Sequence, residues 1–127
     1  MQLNFFKKNL SKNEERAFTD YVNQKIDSIE SLLTKFAYDA RLLKASIEKF
    51  NKHDAYEVEF CLTLPNKTLV AKETSHTITK AVDLSKDRLI SQIKKHLAIL
   101  RKERSHKSIR HPETKEELFE SYRHAEK

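Results

Sequence analysis

The 127-residue chain contains no glycine and no tryptophan, a single cysteine and only two prolines. Phosphate-cradling loops of the Walker or dinucleotide type need glycine, because only a residue without Cβ lets successive backbone amides close on a phosphate. Enzymes built on such loops are thereby excluded, and the turns must rest on Asn, Asp, Pro and Lys. The lone Cys61 forms no internal disulfide, and no CxxC or Cys/His set has metal-ligand spacing. Six histidines (53, 76, 96, 106, 111 and 124) form no such set either, and His106 and His111 sit among cations that would repel a metal. No apolar run approaches the ~18 residues of a membrane span. The opening residues carry no apolar stretch after their charges, so no secretory signal is expected. These absences describe a cytoplasmic chain with no membrane segment, metal, cofactor or small-molecule substrate.

Hydrophobic residues make up 38% and charged residues 35%, against roughly 45–50% and 25% in an ordinary domain. That supplies one modest core. Residues 1–8 alternate weakly, Leu3 and Phe5 against Asn4 and Phe6, and read as a first strand. Ser11 and Glu14 match a capping box, in which hydroxyl and carboxylate satisfy the free amides of a helix start. Phe18, Val22, Ile26, Ile29, Leu33 and Phe36 then recur at steps of three and four, predicting an amphipathic helix over 12–36. Three strands follow. In 41–50, Leu43, Ala45 and Ile47 alternate with polar residues. In 56–64, Tyr56, Val58, Phe60, Leu62 and Leu64 face one way, and Glu57, Glu59, Cys61 and Thr63 the other. One polar face means a sheet covered on one side only. Residues 51–54 supply one hairpin loop. Pro65-Asn66-Lys67 supplies the next, with Asn66 in the left-handed role that glycine often fills, before a returning strand at 68–74.

A second helix opens at Thr77 as N-cap and runs to about residue 103, with Ile78, Val82, Leu89, Ile93, Leu97 and Leu100 apolar and Ala81 and Ser85 completing the stripe. His96 falls on that stripe as a partly buried structural imidazole. At ~1.5 Å per residue the helix is about 40 Å long, more than a small sheet needs. A basic linker (104–111) and a short helix over 113–125, opened by Pro112, complete the chain. The order β-α-β-β-β-α plus a tail describes an α+β sandwich of one sheet and two helices.

Charge is unevenly spread. Residues 1–74 carry 12 basic and 11 acidic side chains, residues 75–111 carry 10 and 3, and residues 112–127 carry 3 and 5. The whole excess, +6 for the chain, therefore belongs to the second helix and its linker. Arg88, Lys95 and Lys102 are seven apart and nearly superpose on a helical wheel, roughly opposite the apolar stripe. Lys80, Ser91, Lys94 and Arg101 flank them. Such a ridge tracks phosphates and makes binding salt-dependent; a merely solvated helix face is the other reading. Glu57, Glu59 and Cys61 have no nucleophile or base beside them in the sequence, and an exposed sheet face, with the carboxylates near Lys44 or Lys72, accounts for them.

Three segments carry a family resemblance. Leu64-Pro65-Asn66-Lys67-Thr68-Leu69-Val70-Ala71 is similar to a Pro-Asn-Gly turn followed by a Leu-Val-Ala strand. Ala81-Val82-Asp83 with Leu89-Ile90-Ser91-Gln92-Ile93-Lys94-Lys95 is similar to an Ala-Ile-Asp and Leu-x-x-Gln-Leu-x-Lys signature, and 21–30 to the same family's first helix. The chain thus resembles the ribosome hibernation-promoting factors, also called ribosome-associated inhibitors or sigma-54 modulation proteins, over residues 1–104, with 105–127 as linker and tail. The resemblance implies a domain distantly like double-stranded-RNA-binding domains, both helices on one sheet face. It implies no catalysis. It implies binding to the small ribosomal subunit between head and body, where messenger and transfer RNA would sit, and silencing of ribosomes in resting or stressed cells. Matching positions place RNA contacts at Lys25, Arg88 and Lys95. Ser28, Ser31 and Ser91 stand where the family often has Lys or Arg, and Lys67 replaces the turn glycine.

Long family members carry a dimerisation domain, for which 16 residues after His111 are too few; a short form without its own dimerisation domain is expected. The tail could enter the mRNA path or touch a neighbouring ribosomal protein, with Phe119 and Tyr122 as anchors; Leu118 lies beside them. Two rival functions remain: a protein-interaction module docking through this tail, and a free-standing double-stranded-RNA binder.

Overall fold

The computed structural model describes residues 1–109, with side chains to Glu103. Its elements are β1 (Gln2–Lys8), α1 (Lys12–Glu30), β2 (Leu42–Phe50), β3 (Ala55–Leu64), β4 (Lys67–Ser75) and α2 (Ile78–Ile109). The strands form one sheet in the order β1-β2-β3-β4. β1 and β2 are parallel, whereas β2, β3 and β4 pair antiparallel. A parallel pair cannot be closed by a tight turn, and α1 is the crossover it requires.

The period-two patterns decide which face is covered. Leu43, Ala45 and Ile47 of β2, Val58, Phe60, Leu62 and Leu64 of β3, and Leu69 and Ala71 of β4 are buried. Onto them α1 lays Phe18, Val22 and Ile29, and α2 lays Ala81, Val82, Leu89 and Ile93. Phe18 meets Phe5 edge to face, with ring centroids 6.0 Å apart. Ser85 is the one buried polar residue of this core among the described residues, and its hydroxyl donates to the Val58 carbonyl at 2.9 Å. Two helices on one face of a mixed four-stranded sheet is the expected α+β arrangement.

Without glycine, the left-handed backbone positions fall to Asn9 (φ 64°), Asp54 (φ 48°) and Asn66 (φ 65°). Short polar side chains tolerate this region best, because they can bond locally. Asn9 bonds across the fold instead, its Nδ2 donating to the Lys49 carbonyl of β2 at 2.9 Å. The start of α1 carries the full capping box: Ser11 N–H donates to Glu14 Oε1 at 2.8 Å and Glu14 N–H to Ser11 Oγ at 3.2 Å. Glu14 also accepts from Lys49 Nζ at 3.2 Å and from the Tyr56 hydroxyl. These donors, the Ser11 amide foremost and then the Tyr56 hydroxyl, hold its carboxyl down at about 2. One side chain thus caps the helix and ties it to β2 and β3.

Two boundaries differ from expectation. α1 ends at Glu30, not at 36. Leu32, Leu33 and Phe36 then donate to carbonyls three residues back, a 3₁₀-type tightening. This keeps the three-residue apolar spacing, which is why the periodicity ran on, and it places Leu33 in the core while the chain turns toward β2. α2 continues to Ile109, through most of the segment read as a linker; no glycine or proline interrupts it before Pro112. The tail, with Leu118, Phe119 and Tyr122, lies outside the described residues. The chain divides into two compact units after Ile93, and α2 contributes to both.

Candidate nucleic-acid interface

Ala81, Val82, Ser85, Leu89 and Ile93 are buried and fix the rotation of α2 in the first unit. Thr77 caps its start, with Oγ1 accepting from the Lys80 amide at 3.2 Å. Lys80, Arg88 and Ser91 are consequently exposed. Arg88 does not stand opposite the apolar stripe, as the wheel suggested. It leans toward the edge strand β4, where its Nη1 pairs with Glu73 Oε2, while its side chain stays 59% exposed. From the same helix, Gln92 Nε2 donates to the Val70 carbonyl at 2.8 Å and so occupies an acceptor of the sheet edge. Sequence spacing along α2 could not reveal either contact, because both partners lie on β4.

The seam between the helices is the second feature. The Tyr21 hydroxyl of α1 donates to the Asp83 carboxylate of α2, at 2.8 and 3.0 Å from its two oxygens. That bond, with burial, raises the phenol above its ordinary value. Lys25 Nζ lies 5.1 Å from the Tyr21 ring centroid. Lys25 is half-buried over that ring. Lys86, which sequence reading passed over, is also largely buried and pairs with Asp87 at 3.3 Å. Its i+3 position from Asp83 was the available signal.

In the second unit, Lys94, Lys95, Arg101 and Lys102 are all exposed, and His96 and Leu97 are half-buried. The helix thus presents cations to solvent in each unit taken by itself. Among the described residues no cluster of three or more His, Cys, Asp or Glu side chains is arranged for a metal. No helix among them is long and apolar enough to cross a membrane. What the arrangement offers is exposed positive charge on the part of α2 in each unit, suited to phosphates.

The sequence profile of the family described as Sigma 54 modulation protein / S30EA ribosomal protein matches residues 8–101. Among solved structures, a ribosomal subunit interface protein from Coxiella burnetii aligns with a TM-score of 0.57 at 19% identity, over 77% of this chain and 99% of that one. The N-terminal domain of Protein Y from Thermus thermophilus aligns with a TM-score of 0.57 at 22% identity, over 76% and 99%. The likeness to both is one of fold.

Proposed function

The chain belongs to the sigma 54 modulation protein / S30EA ribosomal protein family, and on that premise we propose that it is a ribosome-associated translation inhibitor. It binds the small subunit in the channel of messenger and transfer RNA, and silences ribosomes in resting or stressed cells. Inhibition is steric and reversible and involves no bond-breaking step. The observation that carries this reading is the location of the charge: residues 75–111 hold ten basic and three acidic side chains, while residues 1–74 are nearly balanced. Arg88, Lys95 and Lys102 contact ribosomal RNA phosphates, supported by Lys80, Ser91, Lys94 and Arg101 on α2 and by Lys25 from α1. Contacts of this kind position a protein without reading sequence, and A-form RNA is recognised mainly by shape. The place of action is the cytoplasm.

Co-sedimentation with 30S subunits, 50S subunits and whole ribosomes across a salt series tests the proposal. Pelleting with the small subunit and the whole ribosome, weakening steeply with salt, is expected. The triple variant Arg88→Glu/Lys95→Glu/Lys102→Glu should stay folded by circular dichroism and stay in the supernatant. Absence from small subunits at low salt overturns the reading. Equal affinity for naked duplex RNA and for ribosomes would establish a free-standing RNA binder instead. Loss of binding on deleting residues 112–127, with the triple variant unaffected, would establish docking through the tail.

A further inference from the structure

A lysine set over a tyrosine ring whose hydroxyl binds a carboxylate occurs twice in the first unit. Lys49 Nζ lies 5.6 Å from the Tyr56 ring centroid, and the Tyr56 hydroxyl donates to Glu14. Lys25 Nζ lies 5.1 Å from the Tyr21 centroid, and the Tyr21 hydroxyl donates to both oxygens of Asp83, at 2.8 and 3.0 Å. The first trio is closed: Lys49 also pairs with Glu14 at 3.2 Å, so its charge is compensated where it stands. The second trio is open. Lys25 makes no ion pair among the described residues. The two carboxylates of the seam are engaged elsewhere, Asp83 by Tyr21 and Asp87 by Lys86 at 3.3 Å. Lys25, Lys86, Asp83 and Asp87 sum to no net charge, so the seam's part is to orient one cation and not to gather anions.

Tyr21 and Lys25 are four apart on α1 and share one face of it. A ring face attracts an ammonium without neutralising it, which a carboxylate would do. A phenol that donates to an anion is itself polarised, and its ring becomes richer in electrons. Asp83 therefore strengthens the hold of the Tyr21 ring on Lys25. The same bond is the first cause of the raised Tyr21 hydroxyl. A lysine on its flexible stem gives up rotamer freedom when it meets a phosphate. Lys25, half-buried over the ring, has surrendered part of that freedom beforehand. Arg88 is the contrast, oriented by Glu73 but paired with it.

We infer that Tyr21 and Asp83 are positioning residues, holding the Lys25 ammonium oriented and uncompensated for one ribosomal RNA phosphate. The inference rests on the RNA-binding reading and deepens it, since neither residue is a cation and one of them is an acid.

Quantitative pelleting with 30S subunits at fixed moderate salt, joined to NMR of the full chain, tests it. The Lys25 methylene protons should show an upfield ring-current displacement in the parent that is lost in Tyr21→Leu. Affinity should fall about fivefold in Lys25→Met and about threefold in Tyr21→Leu. Tyr21→Leu should cost nothing further in the Lys25→Met background, whereas a merely structural tyrosine would cost the same in both. Tyr21→Phe and Asp83→Asn keep the packing and should each lower affinity about twofold; they decide the matter if Tyr21→Leu fails to fold. Unchanged or raised affinity in Asp83→Asn would overturn the inference, because a carboxylate that only repels phosphate gives that sign. So would a missing ring-current displacement, or an equal cost of Tyr21→Leu in both backgrounds. A parent that fails to pellet at low salt would overturn the RNA-binding reading and this inference with it; a parent that pellets beside variants that bind equally well would overturn the inference alone.

Discussion

Helix α1 buries Phe18, Val22 and Ile29, and α2 buries Ala81, Val82, Leu89 and Ile93, against the same sheet face. Their solvent sides diverge. Residues 12–30 carry three basic and five acidic side chains, whereas residues 78–109 carry nine basic and three acidic. Packing constrains a helix along one stripe of roughly 100° and leaves the rest to other demands. On α1 that freedom goes into anchoring: Glu14 binds Ser11, Lys49 and Tyr56, and Tyr21 binds Asp83. On α2 it goes into displayed cations. Anchoring and the proposed RNA binding therefore lie on different surfaces, and substitutions can sort them.

The largest separation is expected in ribosome binding. Reversing Arg88, Lys95 and Lys102, the proposed phosphate contacts, should lower affinity by about 100-fold or more at moderate salt. Reversing Lys12, Arg16 and Lys25 on α1 should cost no more than about tenfold, most of it through Lys25. Equal losses in quantitative pelleting would erase the contrast between the helices.

Core truncation should treat the two helices alike. Phe18→Ala is expected to destabilise by roughly 3–5 kcal/mol and Leu89→Ala by roughly 2–5 kcal/mol, both from fully buried positions. Urea unfolding measures this; a tolerant Leu89→Ala would show that α2 is held by its display face after all.

Glu14→Gln sharpens the anchoring role of α1. Loss of the capping carboxylate should cost about 1 kcal/mol at neutral pH. The Glu14 carboxyl is lowered in the folded state, from 4.5 to about 2. Its stabilisation is thus fully present above the unfolded value and disappears as pH falls from about 4.5 through 2. Denaturation midpoints of parent and variant should converge at the bottom of that window, and a gap of constant size would refute the assignment.

The smallest effect concerns Arg88, the cation that α2 shares with the sheet. Glu73→Gln frees its guanidinium from an exposed pair worth at most about 1 kcal/mol. Affinity for 30S subunits should rise up to about fivefold, with thermal stability nearly unchanged. A fall in affinity would mean that Glu73 holds Arg88 in its binding orientation.

How much of this was legible beforehand follows from the range of each interaction. The Ser11/Glu14 box and the Asn66 turn are local, and both stand where the chain pattern placed them. The stripes of α1 and α2 and the alternation of β3 predicted which residues are buried. The end of α1 was misplaced, because a 3₁₀ turn preserves the spacing that a helix uses. The helical wheel alone places Arg88 on a solvent-facing ridge, since its partner Glu73 lies on another element.

The sequence by itself therefore determined the elements, their buried faces and the concentration of positive charge on α2, because these follow from periodicity and composition within short stretches. The tertiary structure alone decided that Tyr21 meets Asp83 across 62 positions of chain and that Glu73 claims Arg88. Those meetings depend on strand order and register, which no single segment encodes.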